Sequence, residues 1–138
     1  MFQRACFIIF FAFATIVSNQ AFGDQDPKGH AYKTPHGGLV QEADGMHVEF
    51  LIDKSGEPKV YLYDKEMKFL DRNDIQVKLT AKEHGGAQHE RELKFVKDPK
   101  AGARFKGEPI KGSKDWDTAV VSIKIKDAWT HVRFSHHH

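Results

Sequence analysis

Almost no sulfur chemistry is open to this chain. Its 138 residues include one cysteine, Cys6, and three methionines. Cys6 lies in the apolar N-terminal stretch, so the rest must fold by packing, without a disulfide. Soft ligands for Cu(I) are equally scarce, with only Met46 and Met67 beyond that stretch. Net charge is missing too. The 21 Lys+Arg against 19 Asp+Glu give +2 with neutral histidines, a balance that predicts neither a nucleic-acid groove nor strong adsorption to a membrane. There is no G-x-S-x-G, no phosphate-binding loop and no H-E-x-x-H. Beyond the N-terminal stretch, Ser55, Ser113, Ser122 and Ser135 fall in turns, on an outward strand face or in the tail, so no supported Ser-His-Asp arrangement emerges. The chain is expected not to be an enzyme. No window sustains a 3.6-residue apolar period, which argues against a helical core.

The long apolar run, Phe7–Val17, is too short to span a bilayer comfortably. It reads as the centre of a secretory signal peptide. Arg4 is the only charge before Asp24, and Ala21-Phe22-Gly23 sets small residues at the −3 and −1 positions of a cleavage site. Residues 1–23 are therefore expected to be removed, with a retained membrane anchor as the competing reading. Residues 24–34 form a polar, flexible lead-in that includes His30 and Tyr32. Residues 35–134 form the folded domain, and 135–138 a His-rich tail. The expected destination is periplasmic or secreted, with no membrane attachment after cleavage. All 9 histidines lie beyond the signal, the one compositional excess.

What is present is alternation. Leu39 and Val40 lead to Asp44-Gly45, after which Val48, Phe50 and Ile52 share a face. Asp-Gly between alternating runs predicts a two-residue type I′ hairpin turn, because both turn residues need positive φ. Further strands are expected at Lys59–Asp64, Asp74–Lys82, Gln88–Lys97, Ala103–Phe105, Asp117–Lys126 and Trp129–Phe134, separated by Gly- and Pro-rich turns. Lys65–Asp71 reads as an edge strand or loop, with one helical turn as the other option. Val48, Phe50, Ile75, Val77, Leu79, Phe95, Val121, Ile123 and Ile125 are the expected core. About seven to eight short strands of this kind imply an all-β antiparallel sandwich or barrel, with one face of each sheet wet.

Several of these segments resemble a known family. The His36-Gly37-Gly38 corner, the Val48-Glu49-Phe50 strand, Val60-Tyr61-Leu62-Tyr63-Asp64, a VKLT strand, the Phe95…Phe105-x-Gly107 stretch and the closing Val-x-Ile-x-Ile strand with an aromatic strand after it stand in that order. Together they are similar to the N-terminal β-domain of periplasmic adaptor subunits in heavy-metal efflux pumps, and to small free-standing secreted bacterial proteins of the same layout. The resemblance covers most of Pro35–Phe134. It implies an Ig-like β-sandwich, a periplasmic address and a link to metal handling. The helical hairpin, lipoyl and barrel domains of an adaptor are lacking in this sequence, so it cannot bridge two membrane components by itself.

The candidate site follows from strand register. A two-residue turn at Asp44-Gly45 pairs Ala43 with Met46, Glu42 with His47 and Val40 with Glu49. His47, Glu49 and Glu42 then share one face at Cβ separations of about 5–7 Å. An imidazole and two carboxylates at that spacing suit a divalent transition metal: zinc, cobalt, nickel or copper. Extended in the same register, His36 falls opposite Asp53, roughly 20 Å from His47 at about 3.3 Å per residue. It joins the site only if the glycine pair bends the chain back. The competing reading is a polar cross-strand pair at His47 and Glu42 and a loop histidine at His36. His84 and His89, flanking Gly85-Gly86, could chelate weakly or form a polar hairpin tip. Two functions follow: a periplasmic metal-binding protein that buffers an ion or delivers it to an envelope efflux or assembly protein, or a non-catalytic protein-interaction module with incidental histidines.

Overall fold

A computed structural model describes residues 34–100, 102–112 and 115–136, all within the unit Ala31–His138. The expected signal peptide, the lead-in up to residue 33 and the last two tail histidines lie outside the described residues.

Eight strands form in chain order: β1 (Leu39–Ala43), β2 (Met46–Ile52), β3 (Pro58–Tyr63), β4 (Gln76–Glu83), β5 (Gln88–Asp98), β6 (Gly102–Lys106), β7 (Trp116–Ile125) and β8 (Ala128–Ser135). Every pairing is antiparallel, and the spatial order is β1-β2-β3-β6-β5-β4-β7-β8. The sheet is nearly closed. Across the gap between its ends, the Thr130 hydroxyl on β8 donates to the Asp44 carboxylate of the β1–β2 turn.

The turns explain the register. Asp44 and Gly45 both take positive φ, 49° and 73°, as a type I′ turn demands. The pairs Glu42–His47, Val40–Glu49 and Ala43–Met46 form as the sequence predicts. Asp53 organises the β2–β3 turn by accepting from the Ser55 and Glu57 backbone N–H groups at 2.9 and 3.0 Å. At the β4–β5 turn the strained conformation falls on Gly85 and Gly86, with φ of 97° and 109°. Lys65–Asp71 forms no helical turn. It is a loop turned around Asp64, whose carboxylate accepts the Glu66 and Lys68 N–H groups at 2.9 Å each. It is tied to β3 by the Tyr63–Phe69 bridge and by the Leu70 N–H donating to the Leu62 carbonyl at 2.9 Å.

One core fills the interior. Val48, Phe50, Val60, Leu62, Val77, Leu79, Val121, Ile123 and Phe134 are fully or almost fully buried, and Phe95 and Ile125 pack at its margin. Trp116, one residue before the expected strand Asp117–Lys126, instead opens β7 after a register shift at Lys82/Glu83 and packs edge-on against Phe50 at 5.2 Å. Burial of each such aliphatic or aromatic side chain contributes about 1.5–3 kcal/mol. In β2 every residue from Met46 to Phe50 is buried, so this strand has no wet face.

Candidate functional site

The outward face of β2 is roofed by the His-Gly-Gly corner. A turn closes when the Gly37 N–H donates to the Thr34 carbonyl at 3.2 Å, with Gly37 at φ 77°. Gly38 serves a different need. A Cβ there would stand 2.6 Å from the Phe50 carbonyl oxygen and 2.9 Å from Glu49 Cγ, so only glycine lets the corner lie against the strand.

The corner reverses the chain, and His36 comes to rest on Glu49 instead of opposite Asp53. The Glu49 side chain has no exposed surface. Its Oε1 accepts the backbone N–H groups of His36 and Gly38, each at 3.0 Å. Its Oε2 accepts the Tyr63 hydroxyl at 2.7 Å and lies 3.0 Å from His36 Nδ1. An ionised carboxylate only accepts, so Nδ1 carries the ring proton and donates. Tyr61, directly opposite Glu49 on β3, stacks on the imidazole with centroids 3.7 Å apart and planes within 5°. Phe69 closes the cluster at 5.0 Å from Tyr63 and 6.0 Å from His36. Its ring also packs where Gly102 leaves room, since a Cβ there would meet it at 2.9 Å.

The electrostatics follow from this crowding of donors. Burial acts most strongly on the Glu49 carboxyl and would raise it, but hydrogen bonds from Tyr63, His36 and Gly38 together outweigh burial and hold it below the usual carboxylate range. Burial, then the hydrogen bond and the charge of Glu49, push the Tyr63 phenol well above its ordinary value, so it remains a donor. Burial likewise raises Tyr61, partly offset by the positive charges of Lys59 and Arg104. Arg104 keeps its Nε and Nη1 buried with no hydrogen-bond partner and stands 4.0 Å from the Asp98 carboxylate.

Glu42, His47 and Glu49 do share one face, as their register requires, but they do not converge. Glu42 is exposed, His47 Nδ1 donates to the Asp64 carbonyl at 3.2 Å, and the Glu49 oxygens are committed to the corner. Among the described residues no three His, Cys, Asp or Glu side chains group as a metal site. The two histidines flanking Gly85-Gly86 also separate: His84 meets Asp117 at 3.2 Å and His89 meets Glu83 at 2.8 Å. A recess of about 430 Å³ lies elsewhere, walled by Glu57, Glu92, Lys94, Val96, Lys106 and Glu108. Sequence reasoning missed Tyr61, Tyr63 and Phe69. Tyr61 and Tyr63 carried a signal, the aromatic alternation of β3 (Pro58–Tyr63) at outward positions, whereas Phe69 lies in the following loop and carried none.

Comparison with known proteins finds no matching family, no matching curated protein and no matching solved structure. Among the described residues no helix is long and apolar enough to cross a membrane.

Proposed function

We propose that this chain is a non-catalytic metal-binding module of the bacterial envelope, exported to the periplasm and serving heavy-metal handling, with its sheet folded as an Ig-like sandwich. His36 is its anchoring ligand. The observation that carries this reading is the bond from His36 Nδ1 to Glu49 at 3.0 Å. A carboxylate that takes one ring N–H fixes the tautomer, orients the ring and raises the basicity of the other nitrogen, which is the usual support of a metal-bound imidazole. Nε2 has no hydrogen-bond partner among the described residues, and the side chain is 24% exposed. Glu49 is thus the orienting residue, and the donor role falls to the imidazole. One nitrogen suits a borderline ion such as zinc, cobalt or nickel but makes a weak site alone. His30 and Tyr32 are the nearest candidates in sequence to complete it.

The test is titration of zinc, cobalt and nickel into protein whose histidines 136–138 are replaced by serine. His36→Ala should abolish the strongest remaining site, while His47→Ala leaves it within about threefold. Equal affinity with and without His36 contradicts the proposal. A second reading, a protein-interaction module, draws on Phe69, which is 40% exposed beside the same cluster. Loss of metal binding in Phe69→Ala without loss of fold would count for the first reading over the second.

A further inference from the structure

The near-neutral composition hides a segregation of charge that appears only on folding. The inward positions of β4, β7 and β8 supply Val77, Leu79, Val121, Ile123, Val132 and Phe134 to the core. From Gln76 to Lys82, Thr118 to Lys124 and Trp129 to Ser135, the outward positions hold Lys78, Lys82, Lys124 and Arg133 and no carboxylate. Among the described residues none of these four cations makes an ion pair. Glu90 and Glu92 on β5 mark the limit of the face.

Trp129 sits among these cations, 39% exposed. Lys124 is its cross-strand neighbour, and the Nζ atoms of Lys124 and Lys78 lie 5.7 and 5.4 Å from its ring centroid. Lys78 thus leans toward the indole although Glu92 is its neighbour on β5. His131 stands parallel to the indole, 3° apart in plane at 6.4 Å, and its Nδ1 lies 2.8 Å from the Ser122 hydroxyl.

We propose that the outward face of β4, β7 and β8 docks on an anionic lipid bilayer, with Trp129 at headgroup depth and Lys78, Lys82, Lys124 and Arg133 meeting the phosphates. The cations spread over three strands instead of following a line, so they match a planar anionic surface better than a single polyanionic strand. A nucleobase would need a face of the indole, and two ammonium groups already stand against that ring. Trp and Lys side chains are amphipathic in the sense an interface requires, an apolar body or stem below a polar tip. Cations near an anionic leaflet are attracted within a Debye length. This inference does not depend on the His36 reading, which rests on residues of β2, β3 and the His-Gly-Gly corner.

The full chain is mixed with vesicles of brominated phosphatidylglycerol or brominated phosphatidylcholine, and tryptophan emission is read against a Trp129→Phe variant to isolate Trp129. Phe7–Val17 is common to all variants, so only the difference in Trp129 quenching between variants is read. Trp129 should be quenched by the anionic vesicles and not by the zwitterionic ones, and quenching in the unsubstituted chain should fall as salt is raised. Lys78→Glu/Lys124→Glu should weaken the quenching of Trp129 by the anionic vesicles by at least about tenfold. The charge-matched control Lys94→Glu/Lys106→Glu, on the outward face of β5 and β6, should not. Equal quenching by both lipids, equal loss in the control, or binding of a labelled single-stranded oligonucleotide with vesicles leaving Trp129 unquenched would each overturn the proposal.

Discussion

Glu49 holds a charge where solvent does not reach, and four donors converge on its two oxygens. Replacing it with Gln puts an N–H₂ group among donors, so Glu49→Gln should cost about 2 kcal/mol in urea unfolding at neutral pH. Tyr63→Phe removes one donor and should cost about 1 kcal/mol. The pH dependence has a definite sign. The Glu49 carboxyl titrates lower in the folded than in the unfolded chain, so its contribution is present above the ordinary carboxylate value of about 4.3 and lost as pH falls through the lower folded value. The stability gap between wild type and Glu49→Gln should therefore narrow on acidification below that value; a gap constant from neutral to acid pH would contradict the assignment. At this scale the sequence was half legible. Alternation put Glu49 on the face opposite Val48 and Phe50, which is correct. Nothing within β2 itself announced that this face is covered, because the cover comes from His36 and Phe69, brought over the strand by a turn and a loop that have no periodic signal.

The β1–β2 hairpin was legible almost atom for atom, since Asp-Gly has one favoured geometry between alternating runs and that geometry dictates the pairing. The His-Gly-Gly corner was not, because extending a strand register through two glycines assumes an extended chain. Gly37 and Gly38 break that assumption in different ways, one by positive φ and one by close approach. Gly38→Ala should cost about 1–3 kcal/mol, as overpacking against the Phe50 carbonyl forces the corner off β2. His36 should then lose its hydrogen bond while the hairpin persists, and amide exchange would show this as loss of protection at His36 and Gly38 with Val48 and Phe50 unchanged. Loss of protection throughout β2 would instead make the corner part of the hairpin's own stability. The residue-65 loop shows the same limit, since Met67, Phe69 and Leu70 carry no period and their places are decided by hydrogen bonds to Asp64 and Leu62 and by the Tyr63–Phe69 bridge.

Over the whole molecule, eight antiparallel strands share one core, and Ile123 lies in its centre with no exposed surface. Ile123→Ala should cost about 2–5 kcal/mol by denaturant midpoint, and a loss under about 1 kcal/mol would mean that β7 does not face the interior. Strand number and core were readable because period-two burial is a one-dimensional pattern. The sorting of charge onto the β4-β7-β8 face was not, because net charge carries no information about which strands become neighbours. The central claim is that the fold presents His36 as an oriented ligand. The most direct measurement is a long-range proton–nitrogen NMR spectrum of the imidazoles before and after zinc. The account predicts His36 in the Nδ1–H form without metal and a shift confined to its Nε2 among the histidines of the β-domain on titration. An unmoved Nε2 at His36, with zinc shifting only His136, His137 and His138, is the result that would contradict it.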